Sequence, residues 1–133
     1  MIRYQRSKIK MQSDNAKFKN EFKKRLYDFV LKLIKFIDAL PKDNVSRVIG
    51  DQLLRSGTGI LGTYIEASAS SSRREFTNYF NYSLKSANES KLWFCLLRDS
   101  GRADPITVKW FLEELDEFSK MFASSILTLK GRK

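Results

Sequence analysis

Residues 52–70 read QLLRSGTGILGTYIEASAS, and the fold turns on how that stretch is interpreted. Leu53, Ile60 and Ala67 recur at helical spacing, yet Gly57, Gly59 and Gly62 fall inside the run. Each interior glycine costs a helix about 1 kcal/mol relative to alanine. A helix that carries three of them implies a neighbour that must come close. Ser56, Gly59 and Thr63 follow the core-facing spacing, and Gly62 adjoins Gly59 one turn on. A later segment offers the small residues Ser83, Ala87 and Ser90 to meet them. Close backbone approach gains dispersion contacts that offset the propensity loss. Gly57 lies off this line and implies a bend or a different neighbour.

The segments on either side share the helical period. Phe18, Phe22, Leu26, Phe29, Leu33, Phe36 and Leu40 predict a first helix over about 15–40, stopped by Pro41. Val45, Ile49, Leu53, Ile60 and Ala67 predict a second over about 45–69. Ser72, with Glu75 three residues on, has the pattern of a capping box and opens a third over 73–100, which Gly101 stops. Asp104 as N-cap and Pro105 at the first helical position open a fourth over 105–129. Its stripe is Val108, Phe111, Leu115, Phe118, Phe122 and Leu129. No segment alternates as a half-buried strand would, and the connections are short. The expected fold is therefore an all-α, up-down-up-down antiparallel four-helix bundle over 15–131, with a basic N-terminal arm at 1–14.

Composition narrows the chemistry. The chain has 133 residues, a length suited to one domain with its own core. Histidine is absent, which removes Ser–His and Cys–His nucleophilic sites and histidine-based zinc or di-iron sites. There is no P-loop and no GxGxxG. Glu113, Glu114, Asp116 and Glu117 read as a solvated face. No catalytic residue, metal or cofactor is expected, and the chain is not read as an enzyme. Cys95 is the single cysteine, expected as a packed side chain, and a reducing cytoplasm is the simplest location. No apolar run is long enough to cross a bilayer, so no membrane partner is expected.

The net charge is +10, from 25 Lys and Arg against 15 Asp and Glu. The excess sits at the ends, in 1–25 and 130–133, while 26–129 is neutral. The expected nucleic-acid contacts are Arg3, Arg6, Lys8, Lys10, Lys17, Lys19, Lys23, Lys24, Arg25, Lys130, Arg132 and Lys133. Tyr4 is an aromatic among them that would stack on an unpaired base. The first and third helices also carry more apolar surface than one bundle face buries. Tyr27, Val30, Ile34 and Ile37 form a second stripe on one, and Tyr79, Tyr82, Trp93 and Leu96 on the other. These eight residues are the expected subunit interface.

Gln52, Leu53, Arg55, the small-residue stretch and Glu66, followed by Phe76, Ala87, Glu89 and Trp93, carry a resemblance. In order and spacing they resemble the four-helix-bundle family first noted in intervening sequences of bacterial large-subunit ribosomal RNA genes. The likeness spans about residues 18–128. The family often has Ser-Ile and Asn-Ile in the small stretch, where this chain has Gly59-Ile60 and Thr63-Tyr64-Ile65. The resemblance implies a small homo-oligomer, commonly a pentameric ring. It also implies kinship with the accessory protein of diversity-generating retroelements, which binds reverse transcriptase and nucleic acid. Gln52, Arg55, Glu66 and Glu89 are expected to form a polar network that sets register or subunit contact. Two readings remain: a self-associating bundle that binds RNA or DNA through basic surfaces, and a protein-interaction adaptor, for example for a reverse transcriptase.

Overall fold

The computed structural model describes the backbone of residues 2–131 and the side chains of residues 17–131. It contains four helices, α1 (Ile2–Asp38), α2 (Asn44–Ser68), α3 (Arg73–Asp99) and α4 (Pro105–Gly131), and no strand among the described residues. Local signals set their ends. Asp43 caps α2, accepting from the Ser46 amide and hydroxyl, both at 2.9 Å. Ser72 caps α3 by accepting from the Glu75 amide at 3.1 Å. Asp104 caps α4 by accepting from the Thr107 amide at 3.2 Å. Gly101 has φ +75°, and the amides of Gly101 and Arg102 close back on Arg98 and Leu97. That is the left-handed turn which glycine makes without a steric penalty.

Aromatic contacts fix the antiparallel order. Phe22 of α1 meets Tyr64 of α2 at 5.2 Å and Phe118 and Phe122 of α4 at 5.8 and 5.9 Å between ring centroids. Toward the other end, Phe36 meets Phe94 of α3 and Phe111 of α4 at 5.1 and 5.2 Å. Leu26, Phe29 and Leu33 lie between these two layers, wholly buried with Leu53, Ile60, Phe94, Leu115 and Phe118.

The glycine-bearing helix packs closely on both neighbours. Across α2 and α3 the hydroxyls of Ser56 and Ser90 pair at 2.8 Å and those of Thr63 and Ser83 at 2.5 Å. Between those pairs, a Cβ on Gly59 would lie 3.3 Å from Ser86 Oγ. The expected small-residue seam is therefore present. Gly57 instead faces Leu33 of α1, and Gly50 faces Ile37 of α1 and Leu40 just beyond its end. Gly62 is exposed and meets nothing within 4 Å.

Three expectations need correction. Helix α1 begins at Ile2 rather than near 15, so the segment read as an arm is helical backbone. It has neither proline nor glycine and continues a formed helix, where each added residue needs no new nucleus. Phe18, expected in the core stripe, is 59% exposed and lines an open groove with the α2–α3 turn. Val30, expected at a subunit interface, belongs to the monomer core at 9% exposure. The close approach of α1 to Gly57 covers it.

Candidate nucleic-acid interface

Antiparallel packing brings the α2–α3 turn, the start of α3 and the end of α4 to the same pole as the Phe18–Phe22 segment of α1. Arg73 and Arg74 thereby join Lys17, Lys19, Lys23, Lys24, Arg25, Lys120 and Lys130. Glu21, Glu66, Glu75, Glu114 and Glu117 are the carboxylates of the same region. Sequence reading missed the two arginines of α3, because nothing in a linear charge count shows which turn lies beside which terminus.

These cations are not equivalent. Lys17 reaches Glu21 at 4.0 Å in an exposed contact along one helix. Lys120 is likewise 4.0 Å from Glu117. Lys19, Lys23, Lys24, Arg74 and Lys130 make no ion pair among the described residues. Arg25, another of the expected nucleic-acid contacts, is engaged within the bundle. Its guanidinium donates to both oxygens of Glu114 on α4 at 2.9 and 2.7 Å and lies over the Phe118 ring at 5.5 Å. The Glu114 hydrogen bond raises its pKa further. Arg25 is a strut between α1 and α4. The side chains of Tyr4, Arg3, Arg6, Lys8 and Lys10, and the whole of Arg132 and Lys133, lie outside the described residues.

Between the cations lies an open groove of about 890 Å³, where the end of the core is left uncovered. Phe18, Phe22, Phe76 and Phe80 line it, with Lys19 and Arg73 at its margin and hydroxyls of the α2–α3 turn and α4 around it. The Tyr64 hydroxyl donates to the Lys19 carbonyl at 3.5 Å, and burial raises the phenol's pKa.

Helix α2 is flanked by apolar surface on two sides. Beside its seam with α1, Tyr27, Leu31 and Ile34 of α1 and Leu54 and Ile65 of α2 are exposed. Beside its seam with α3, Tyr82 and Leu96 are exposed, as are Val45 and Val48 of α2. Of the other expected interface residues, Ile37, Tyr79 and Trp93 are partly buried against the core. The Trp93 indole N–H is buried without a partner among the described residues. Arg55 of α2 pairs with Glu89 of α3, and Gln52 accepts from Arg55 at 3.0 and 3.2 Å. Glu66 is exposed and stays outside that network. Cys95 is a free, half-buried thiol. Among the described residues no group of His, Cys, Asp and Glu could hold a metal, and no helix is long and apolar enough to cross a membrane.

Residues 19–124 match the family described as 23S rRNA-intervening sequence protein, and the chain belongs to that family. The fold is similar to a crystal structure from Bacteroides thetaiotaomicron, described as a protein with unknown function from the S23 ribosomal protein family. The TM-score is 0.73 at 29% identity, covering 78% of this chain and 96% of that one. No curated protein matches the chain.

Proposed function

We propose that this member of the 23S rRNA-intervening sequence family is a non-enzymatic bundle whose basic pole binds RNA or DNA. One observation carries the reading. Cations from α1, α3 and α4 gather at one end, nine against five carboxylates, and five of the nine make no ion pair among the described residues. Such a surface releases counterions when it meets phosphates, so affinity falls with salt by roughly 0.7–0.9 in log–log slope per contact. Binding of this kind positions a protein without reading bases. The test is a fluorescence-anisotropy titration with mixed-sequence RNA and DNA across a salt series. Replacing Lys19, Lys23, Lys24 and Arg74 by alanine should weaken binding and flatten the slope by about 2 or more. Unchanged binding and slope would reject the pole as the site.

The two apolar flanks of α2 favour a second property, self-association. One flank carries Tyr27 and Ile34 and the other Tyr82 and Leu96, and all four are exposed. Two different patches on one subunit suit a head-to-tail contact, which closes into a ring when the rotation permits. A pentameric ring would place five basic poles on one particle and add weak contacts as avidity. The same flanks would serve an adaptor for a protein partner such as a reverse transcriptase. Sedimentation equilibrium separates these: a 15.5 kDa species alone leaves the flanks to a different protein.

A further inference from the structure

We infer that the groove at the basic pole is a stacking slot for an unpaired nucleotide, so that the nucleic acid taken there is single-stranded. The inference rests on the pole being a nucleic-acid surface and names the form it selects. The groove is about 890 Å³, within the range of pockets that hold small molecules. Its floor is aromatic. Phe18 is 59% exposed, lying 6.5 Å from Phe22 with 16° between the ring planes. Phe76 lies 4.4 Å from Phe80 at the opposite wall. An open aromatic face beside free ammonium groups is the combination that binds single strands: the base covers the ring and the phosphate meets the cation. Lys19 is next to Phe18 in the chain and lines the same groove.

The hydroxyls at the rim add acceptors. Thr128 donates to the Ser124 carbonyl at 3.0 Å and Ser70 to the Ala67 carbonyl at 2.7 Å. Their protons are engaged, so these hydroxyls can meet a base only as acceptors for its N–H groups. In a duplex the base faces are stacked and inaccessible, so only unpaired bases reach this floor. Lys19, which makes no ion pair among the described residues, favours a polyanion over an apolar peptide as the occupant.

The experiment compares a short labelled oligouridylate and a duplex of similar length, both titrated with the full chain at fixed salt. The single strand should bind about tenfold more tightly, the scale of one stacked base. Phe18→Ser should remove that preference and leave duplex binding unchanged, since the ring is exposed and contributes little to the core. Phe18→Trp should keep the preference, and its emission should be quenched by oligouridylate beyond the response of the wild-type tryptophans. Equal affinity for the two forms, an unaffected Phe18→Ser variant, or an equal loss for both forms overturns the slot while leaving the basic pole standing. Failure to bind either form overturns both.

Discussion

Gly57 of α2 faces Leu33 of α1 so closely that a Cβ at Gly57 would lie 2.2 Å from Leu33 Cδ2. Leu33 is fully buried, so its methyl can give way only by shifting within the core. Overpacking of this kind costs about 1–3 kcal/mol, against about 1 kcal/mol recovered in helix propensity. Gly57→Ala should therefore lower the urea midpoint, by up to about 2 kcal/mol in stability. Gly62→Ala should raise it by about 0.5–1 kcal/mol, because nothing lies within 4 Å of that position. The opposite signs of two identical substitutions five residues apart are the check. A stabilising Gly57→Ala would mean that α1 does not press on α2 there.

Gly59→Leu tests the other seam. A Cβ at Gly59 already meets Ser86 Oγ at 3.3 Å, and the rest of a leucine must displace α3 or turn outward. Stability should fall by roughly 1–3 kcal/mol, less the gain in propensity. A raised thermal midpoint would show that the seam tolerates bulk.

The turn linking α1 to α2 is tied by Asp43, and its carboxylate predicts an acid response. Asp43 accepts from the Ser46 amide and hydroxyl and from Arg102 Nε at 3.1 Å, and these bonds lower its pKa, the Ser46 amide most. A carboxylate with a lower pKa in the folded than in the unfolded chain stabilises above its unfolded value. That stabilisation is lost as pH falls through the folded value. Asp43→Ala should lower the thermal midpoint at neutral pH, and the difference from wild type should shrink as pH drops below the ordinary carboxylate range. A difference that stays constant with pH would exclude the carboxylate as its source.

The helices were legible because their ends are written locally. Pro41, Ser72 with Glu75, Gly101, and Asp104 with Pro105 each act within a few residues, and each helix ends within about two residues of the expected place except at the start of α1. That start was missed because a charged segment without an apolar stripe carries no helix signal of its own. The site was less legible. Gly57 needed the identity of its neighbour, and Arg73 and Arg74 needed the bundle closed before they adjoined Lys19. Val30 lies on the flank of its helix wheel, where only the nearness of α2 decides whether it is buried. Gln52, Arg55, Glu66 and Glu89 were expected as a set, yet that Glu89 rather than Glu66 meets Arg55 depended on helix register.

Arg25 and its lysine neighbours should separate stability from binding. Arg25 is held by Glu114, whereas Lys23 and Lys24 make no ion pair among the described residues. Arg25→Ala should cost about 1 kcal/mol or less, since the guanidinium is half exposed, and should leave the salt slope of nucleic-acid binding nearly unchanged. Lys23→Ala with Lys24→Ala should leave the thermal midpoint in place and reduce the slope by about 1–2. If Arg25→Ala flattens the slope as much as the lysine pair does, the strut opens to phosphate and the division fails.

Val30 and Ile34 stand on adjacent turns of α1, the first in the core and the second 40% exposed. An aspartate at each asks a different question. At Val30 it buries a carboxylate without a partner, a change that costs several kcal/mol and should unfold the chain, as read by lost thermal cooperativity. At Ile34 the carboxylate faces water in the monomer, so helicity and the thermal midpoint of the isolated chain should hold. In an assembled particle the same carboxylate would lie within the flank formed with Leu54, where its desolvation opposes contact. Ile34→Asp should therefore shift sedimentation equilibrium toward the single chain while the helical spectrum is unchanged. An assembly unaffected by Ile34→Asp would remove this flank of α2 as a subunit contact and leave the Tyr82 and Leu96 side to carry any association.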